Sequence, residues 1–312
     1  TIISVFLGQD MTALLNSIAD NVTPALCQKQ RLNLGVNYVA DLGKDNSDRN
    51  RTSPFAFTGN KFEFRMVGSS ATLSTPNMVL NSIVAEMLCR ISDRLENIDK
   101  EKLHEEVYGI VKEMYTQHKK VIFNGNNYSE EWINEAKKRG LIHIDNSIDA
   151  YEASVAPKNV SLFEKLNIMS KKELESRKEI YLSNYELSAN IEAKTMLMMA
   201  KREILPAGLE WVNKLADDLH KVKNVGGNSV VVQKLFDEAN ATLTDLNNAL
   251  NRLEESWNNT EKKVTLYDKC IHFRDVVSKD MLDLRKAADN LETQVSRKIW
   301  PFPTYADILF YE

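Results

Sequence analysis

The sequence predicts an α+β chain that is mostly α-helical, with a partial antiparallel sheet early and long helices after it. Three observations carry this. Apolar residues recur at three- and four-residue spacing through most of the second half, residues 61–67 alternate strictly between charged and apolar, and only 11 Gly and 7 Pro punctuate 312 residues. A chain of this length can hold two domains. Residues 1–120 are read as a sheet-and-helix part and residues 121–312 as a helical part.

Taken in order, residues 2–7 read as a strand and residues 11–18 carry apolar side chains at helical spacing. Residues 32–63 have mixed loop character. Within them the polar run 44–51 (Lys-Asp-Asn-Ser-Asp-Arg-Asn-Arg) reads as a solvated loop or, alternatively, a substrate-facing one. Along residues 61–67, Lys61, Glu63 and Arg65 fall on one strand face, and Phe62, Phe64 and Met66 on the other.

Thr75-Pro76 reads as an N-cap followed by proline at the first helical position. The helix it opens has Leu80, Ile83, Val84, Met87, Leu88, Ile91 and Leu95 as its expected buried stripe. A second helix is expected over 100–118 and a short strand over 121–123. Ser129 caps a further helix, which Gly140 ends.

From Ser170 the chain reads as almost continuous helix to 205. Pro206 either kinks it there or starts the next helix, which reaches about 223. The Gly226-Gly227-Asn228-Ser229 break precedes a helical hairpin over 229–297. One arm carries Leu235, Ala239, Leu243, Leu246, Leu250, Leu253 and Trp257; the other carries Met281, Leu284, Ala288, Leu291 and Val295. Its narrow apolar seam and charged outer faces suggest an interaction surface or, equally, a hairpin that closes on the molecule's own helices. The closing Trp300-Pro301-Phe302-Pro303-Thr304-Tyr305 cannot continue a helix and is expected to lie extended against other structure.

A net charge of −4 gives no field that would draw nucleic acid or an anionic membrane to the molecule. Cys27, Cys89 and Cys270 are far apart and form no C-x-x-C pair, which argues against a disulfide framework or zinc knuckle and for a cytoplasmic protein. No run of about 18 apolar residues and no secretory leader is present, so neither a membrane nor a nucleic-acid partner is expected. Because the chain starts at Thr1, with a strand that lacks a preceding partner, it is expected to be part of a longer protein.

Glu63 between Lys61 and Arg65 supports two readings, a surface ion-pair ladder or a site for phosphates, a carboxylate and a divalent cation. Arg49 and Arg51 just upstream suit the second. Other residues point to structure. His104, His118, His143, His220 and His272 share no metal-ligand spacing, Met196, Met198 and Met199 sit in a helical core pattern, and Gly226-Gly227 lacks a P-loop context.

The segment from Asp48 through Asn50-Arg51-Thr52-Ser53-Pro54 and Lys61-Phe62-Glu63-Phe64-Arg65 to Ser69 resembles the C-terminal signature of type III glutamine synthetases. So do Phe123-Asn124-Gly125, Tyr128-Ser129, Glu131-Trp132, Asn190-Ile191-Glu192-Ala193-Lys194-Thr195-Met196, Ile204-Leu205-Pro206-Ala207 and the closing Trp300 to Tyr305. The resemblance implies that 1–120 is the C-terminal part of a glutamine synthetase catalytic domain. It also implies ATP-dependent ligation of ammonium to L-glutamate through γ-glutamyl phosphate, with ATP and Mg2+ (or Mn2+) as cofactors and assembly into a ring-shaped homo-oligomer.

By the same resemblance, Arg51 and Lys61 are ATP-binding, Glu63 is a metal ligand, Arg65 binds substrate, and Arg51 and Arg65 are catalytic. Lys61 stands where better-known members carry arginine. Pro54-Phe55-Ala56-Phe57 stands where they carry a further arginine, so one phosphate contact must be absent or come from elsewhere. The flap glutamate and remaining metal carboxylates are expected to lie before Thr1, and the 312 residues alone are expected to be inactive. The competing expectation is a non-catalytic helical assembly or regulatory protein that retains a remnant of the site.

Overall fold

The computed structural model describes residues 2–22, 53–303 apart from 59, 67 and 70, and 305–309. Of 31–32, 42–43 and 305–306 only the backbone is described. The chain forms two compact units, Thr1–Leu174 and Glu175–Glu312. The division expected at 120/121 is one of function and remains a proposal; compact packing divides the chain elsewhere.

The first unit is built on a three-stranded sheet. Strand β1 (Val5–Phe6) pairs with β4 (Phe55–Phe57), which pairs with β5 (Phe62–Phe64); β2 (Arg31–Leu32) and β3 (Leu42–Gly43) form a separate antiparallel pair. The β4–β5 ladder is antiparallel, but β1 runs parallel to β4, with Val5 opposite Phe55. The partial antiparallel sheet expected from the sequence thus holds for β4 and β5, and β1 departs from it. The connection from β1 to β4 exceeds forty residues and contains helix α1 (Gln9–Asp20), ample for the crossover that a parallel pair requires.

Around this sheet lie α2 (Ser74–Leu95), α3 (Leu103–His118), α4 (Glu130–Lys138), α5 (Ser147–Ser154) and α6 (Pro157–Lys165). Thr75 and Pro76 fall inside the first turn of α2, two positions later than the cap reading places them, since the N-cap is Leu73. Gly140 ends α4 as expected. Its φ is +67°, and the amides of Gly140 and Leu141 close back on the carbonyls of Lys137 and Ala136. Residues 121–123 contribute a single bridge, Ile122 to Val5, with the Phe123 amide donating to the Val5 carbonyl at 3.1 Å.

One expectation fails in this unit. Part of the stripe predicted to bury α2 faces outward: Ile83, Val84 and Leu88 are exposed and Leu80, Met87, Ile91 and Leu95 only half-buried, while Ser82 and Glu86 are the fully buried residues. Its inward side meets α6, where Val160 and Phe163 pack with Met78 and Val79, and Glu86 binds Lys165 at 2.8 Å and Arg90 at 2.7 Å. That ion-pair cluster explains how a carboxylate tolerates an inward position.

Helix α7 (Lys171–Met199) begins in the last residues of the first unit and runs on into the second; it opens on a reciprocal cap, the Ser170 hydroxyl and amide donating to Glu173 and the Glu173 amide donating back. It passes through a π-helical turn, Ala200–Ile204, directly into α8 (Leu205–Asn224), with Pro206 in the first turn. Pro206 therefore neither breaks the rod nor leaves it regular; the turn absorbs the lost amide.

Next come α9 (Val230–Asn258), α10 (Leu266–His272), a second π-helical turn at Phe273–Val277, and α11 (Ser278–Glu292). Leu243, Leu246, Leu250 and Leu253 of α9 share one core with Leu284, Ala288 and Leu291 of α11, together with Val295. Leu235, at the start of the predicted seam, is exposed. Gly208 lets α8 approach this pair, since a Cβ there would lie 2.6 Å from Leu243 Cδ1 and 2.9 Å from Leu291 Cδ2.

Cys270 is fully buried and hydrogen-bonded to the Leu182 carbonyl, and burial pushes its thiol up to about 11, so it is a structural cysteine. Met196 packs against the core, as the periodicity predicts, whereas Met198 is exposed. Trp300 and Phe302 meet each other edge to face and pack against the same core before the short α12 (Tyr305–Leu309). Among the described residues no helix is long and apolar enough to cross a membrane.

Candidate functional site

The strand pair β4–β5 brings Lys61, Glu63 and Arg65 together as the alternation predicts. Phe55, Phe57, Phe62 and Phe64 occupy the opposite face, with Phe62 stacked on Phe55 at 5.4 Å. That leaves Glu63 directly across from Ala56, which is fully buried. A methyl group opposite leaves room for a carboxylate and the two cations that reach it.

The carboxylate is held asymmetrically. Arg65 donates through Nε (3.2 Å) and Nη2 (3.0 Å) to the same oxygen, Oε2. Oε1 receives the looser contacts, Lys61 Nζ at 3.3 Å and Thr58 Oγ1 at 3.4 Å. Exposure follows the same order, with the Arg65 side chain 16% exposed, Glu63 37% and Lys61 65%. Arg65 is fixed further by its amide, which donates to the Pro54 carbonyl at 2.7 Å. One edge of Glu63 is thus gripped, and the other is contacted by groups that exchange readily with water.

Hydrogen bonds from Arg65 first, and from Lys61 second, hold the Glu63 carboxyl below the usual glutamate range, against the opposing effect of desolvation. A lowered folded-state value means that the pairing stabilises the fold above the unfolded glutamate pKa of about 4.3, and that this stability is lost as pH falls through the lower folded value. In a carboxyl 13C titration, Glu63 is expected to titrate below the free glutamate value of about 4.3, and Arg65→Met is expected to raise it. A Glu63 midpoint at or above that value would remove the pairing.

The site strand is anchored by a feature that sequence reasoning quoted without explaining. Asn124 accepts from the amides of Leu7 and Gly8, both at 3.1 Å, and donates to Thr12 Oγ1. Buried Asn127 accepts from the Ser4 hydroxyl at 2.6 Å and donates to the Ile2 carbonyl, which also receives Trp132 Nε1 at 2.7 Å. These residues clamp β1, β1 pairs with β4, and β4 pairs with β5. The signal available in sequence was the Asn-Gly-Asn-Asn cluster beside a tryptophan, but its partners are more than a hundred residues away.

Arg51 and the rest of the 44–52 run lie outside the described residues. Among the described residues no three His, Cys, Asp or Glu side chains come together to hold a metal ion. Glu63 has the hard oxygen donors that Mg2+ or Mn2+ prefers, yet it is one ligand where such ions take about six. Among the described residues Glu63 thus offers one donor group, short of a full coordination shell. His220 Nε2 lies 2.9 Å from Asn224 Nδ2, and His272 Nε2 meets the Ser256 carbonyl at 2.8 Å.

Residues 106–223 match a family model described as the glutamine synthetase C-terminal domain. The chain is 35% identical to the type-3 glutamine synthetase of Dictyostelium discoideum, an alignment that covers 99% of the chain and 43% of that protein. It is 32% identical to the glutamine synthetase of Butyrivibrio fibrisolvens and 29% identical to that of Bacteroides fragilis, covering 99% of the chain and 44% of each. The chain thus spans less than half the length of these curated relatives.

Proposed function

We infer, for a chain homologous to the glutamine synthetases with type III among them, that it forms the C-terminal part of such an enzyme and supplies one wall of its catalytic site. The reaction is the ATP-dependent joining of ammonia to L-glutamate through γ-glutamyl phosphate. The observation that carries the reading is Glu63 gripped between Arg65 and Lys61 in a chain similar over 99% of its length to proteins named glutamine synthetase.

In this reading Glu63 contributes one oxygen toward a divalent cation through its looser Oε1 edge. When bound, the cation offsets phosphate charge. Arg65, held in place by its backbone and by Glu63, is assigned the binding of substrate carboxylate or phosphoryl oxygens. Lys61, more exposed, reaches nucleotide phosphates as a point charge, and Arg51 is assigned the same ligand from the sequence pattern alone. The whole enzyme is proposed to assemble into a ring-shaped homo-oligomer.

Arg65→Lys in the whole enzyme tests this. The substitution keeps the charge and removes the fork, and activity is expected to fall by about 100-fold, on the scale of losing one preorganised donor. Unchanged glutamate and ATP kinetics would refute the role. The isolated 312 residues are expected to form no glutamine from glutamate, ATP and ammonium; ATP- and ammonium-dependent product from them would overturn that expectation.

A second reading is a helical assembly or regulatory protein with an inert remnant of the site. It draws on the extent of the helical second unit and on the missing ligand cluster among the described residues. It requires both Arg65→Lys and Glu63→Ala to leave the function of the whole protein intact.

A further inference from the structure

Helix α2 leaves the middle of its apolar stripe facing solvent while burying Ser82 and Glu86 on its other side. At 100° per residue, Met78, Val79, Ser82 and Glu86 cluster on one side of the helix, while Leu80, Val84, Met87, Leu88, Ile91 and Leu95 cluster about half a turn away. The inward side meets Val160 and Phe163 of α6 and, through Glu86, Lys165, and the end of the helix is tied to α3 by Arg94, which binds Glu106 and Glu113. On the outward side Val84 is 55% exposed and Leu88 60%, with Leu80, Met87, Ile91 and Leu95 half-buried beside them.

Rotating α2 to bury the stripe would pull Glu86 off Lys165 and leave it facing solvent, so the outward orientation is built into the packing. From Leu80 to Leu95 the stripe spans about 22 Å at 1.5 Å per residue, and no charged side chain interrupts it. A continuous apolar band of that length is not a solvent face.

We propose that this face of α2 is the seat for a further layer of polypeptide, namely the portion of a relative-length glutamine synthetase that these 312 residues do not supply. Two observations select that occupant. The relatives match the chain end to end yet leave more than half of their own length unmatched. The stripe also lacks charge, which calls for an apolar, uncharged sheet or helix face from the partner. The proposal rests on the family reading above and deepens it.

The test is cysteine labelling followed peptide by peptide in the mass spectrometer. Val84→Cys and Leu88→Cys are made in the 312-residue chain, and again in a chimera that carries these residues in place of the matching part of the Dictyostelium enzyme. In the short chain iodoacetamide should label both positions rapidly at every protein concentration. In the chimera, labelling should slow by at least 100-fold. Should the chimera fail to assemble, the unmatched Dictyostelium portion is added to the short chain as a separate polypeptide, and the same protection is read on mixing.

Equal rates in the short chain and both longer forms would overturn the proposal. Protection already present in the short chain and lost on dilution would assign the face to a second copy, and protection that survives dilution would assign it to this chain's own fold. None of these readings uses catalysis, so the seat can fail while the Arg65→Lys result stands, and the reverse.

Discussion

Glu63→Ala is expected to abolish glutamine formation by the whole enzyme while leaving its assembly intact. The carboxylate sits between Arg65 at 3.0 Å and Lys61 at 3.3 Å, so its removal deletes a charge at the proposed cation and leaves two like-charged groups without their shared partner. Loss of one preorganised electrostatic group in an active site typically costs 100- to 1,000-fold, and a metal ligand more. A structural explanation must be separated from this one, because Arg65 is mostly covered and would lose two hydrogen bonds. Glu63→Gln does so: it keeps the volume and an oxygen that can accept from Arg65, and removes the charge. If the carboxylate acts on cation and phosphate, Gln is nearly as inactive as Ala. If it only positions Arg65, Gln retains most of the activity. Wild-type turnover in Glu63→Ala would remove the assignment altogether.

The legible parts of this site were those set by near neighbours in sequence. Strand alternation alone places Lys61, Glu63 and Arg65 on one face, because side chains two apart cannot do otherwise. Gly140 and Ser170 were legible for the same reason, each acting within one turn of its own helix. Thr58 was not, since its approach to Glu63 depends on the turn that joins β4 to β5. The parallel pairing of β1 was not either, because a crossover longer than forty residues leaves no local mark on either strand.

The α2 stripe shows a different limit. Its periodicity correctly identified an amphipathic helix, but periodicity gives a face and not the occupant of that face. The burial of Glu86 could not be read from spacing, because it depends on Lys165, 79 positions away. The roles of Arg51, Lys61, Glu63 and Arg65 came from resemblance, and geometry adds to that reading only for the last three.

Trp132→Ala is expected to be the most destabilising single change in the first unit and to reach the candidate site through the backbone. The indole is fully buried, stacks on Phe123 with ring centroids 4.7 Å apart, lies 5.6 Å beneath the Arg139 guanidinium, and donates to the Ile2 carbonyl. Truncating a buried tryptophan costs about 3–5 kcal/mol in transfer and cavity terms. The Ile2 carbonyl would keep only its longer bond from Asn127 at 3.2 Å. For a unit of this size that corresponds to a melting temperature lower by about 6–20 °C. Trp132→Phe fills most of the cavity and loses the indole N–H, so it should cost much less. Because the tryptophan tethers β1, which pairs with β4 beside β5, hydrogen exchange at Phe55 to Phe57 should rise along with that at Val5 and Phe6. A loss below about 1 kcal/mol, or faster exchange confined to α4, would show that β1 is held by the Asn124 and Asn127 contacts without the tryptophan.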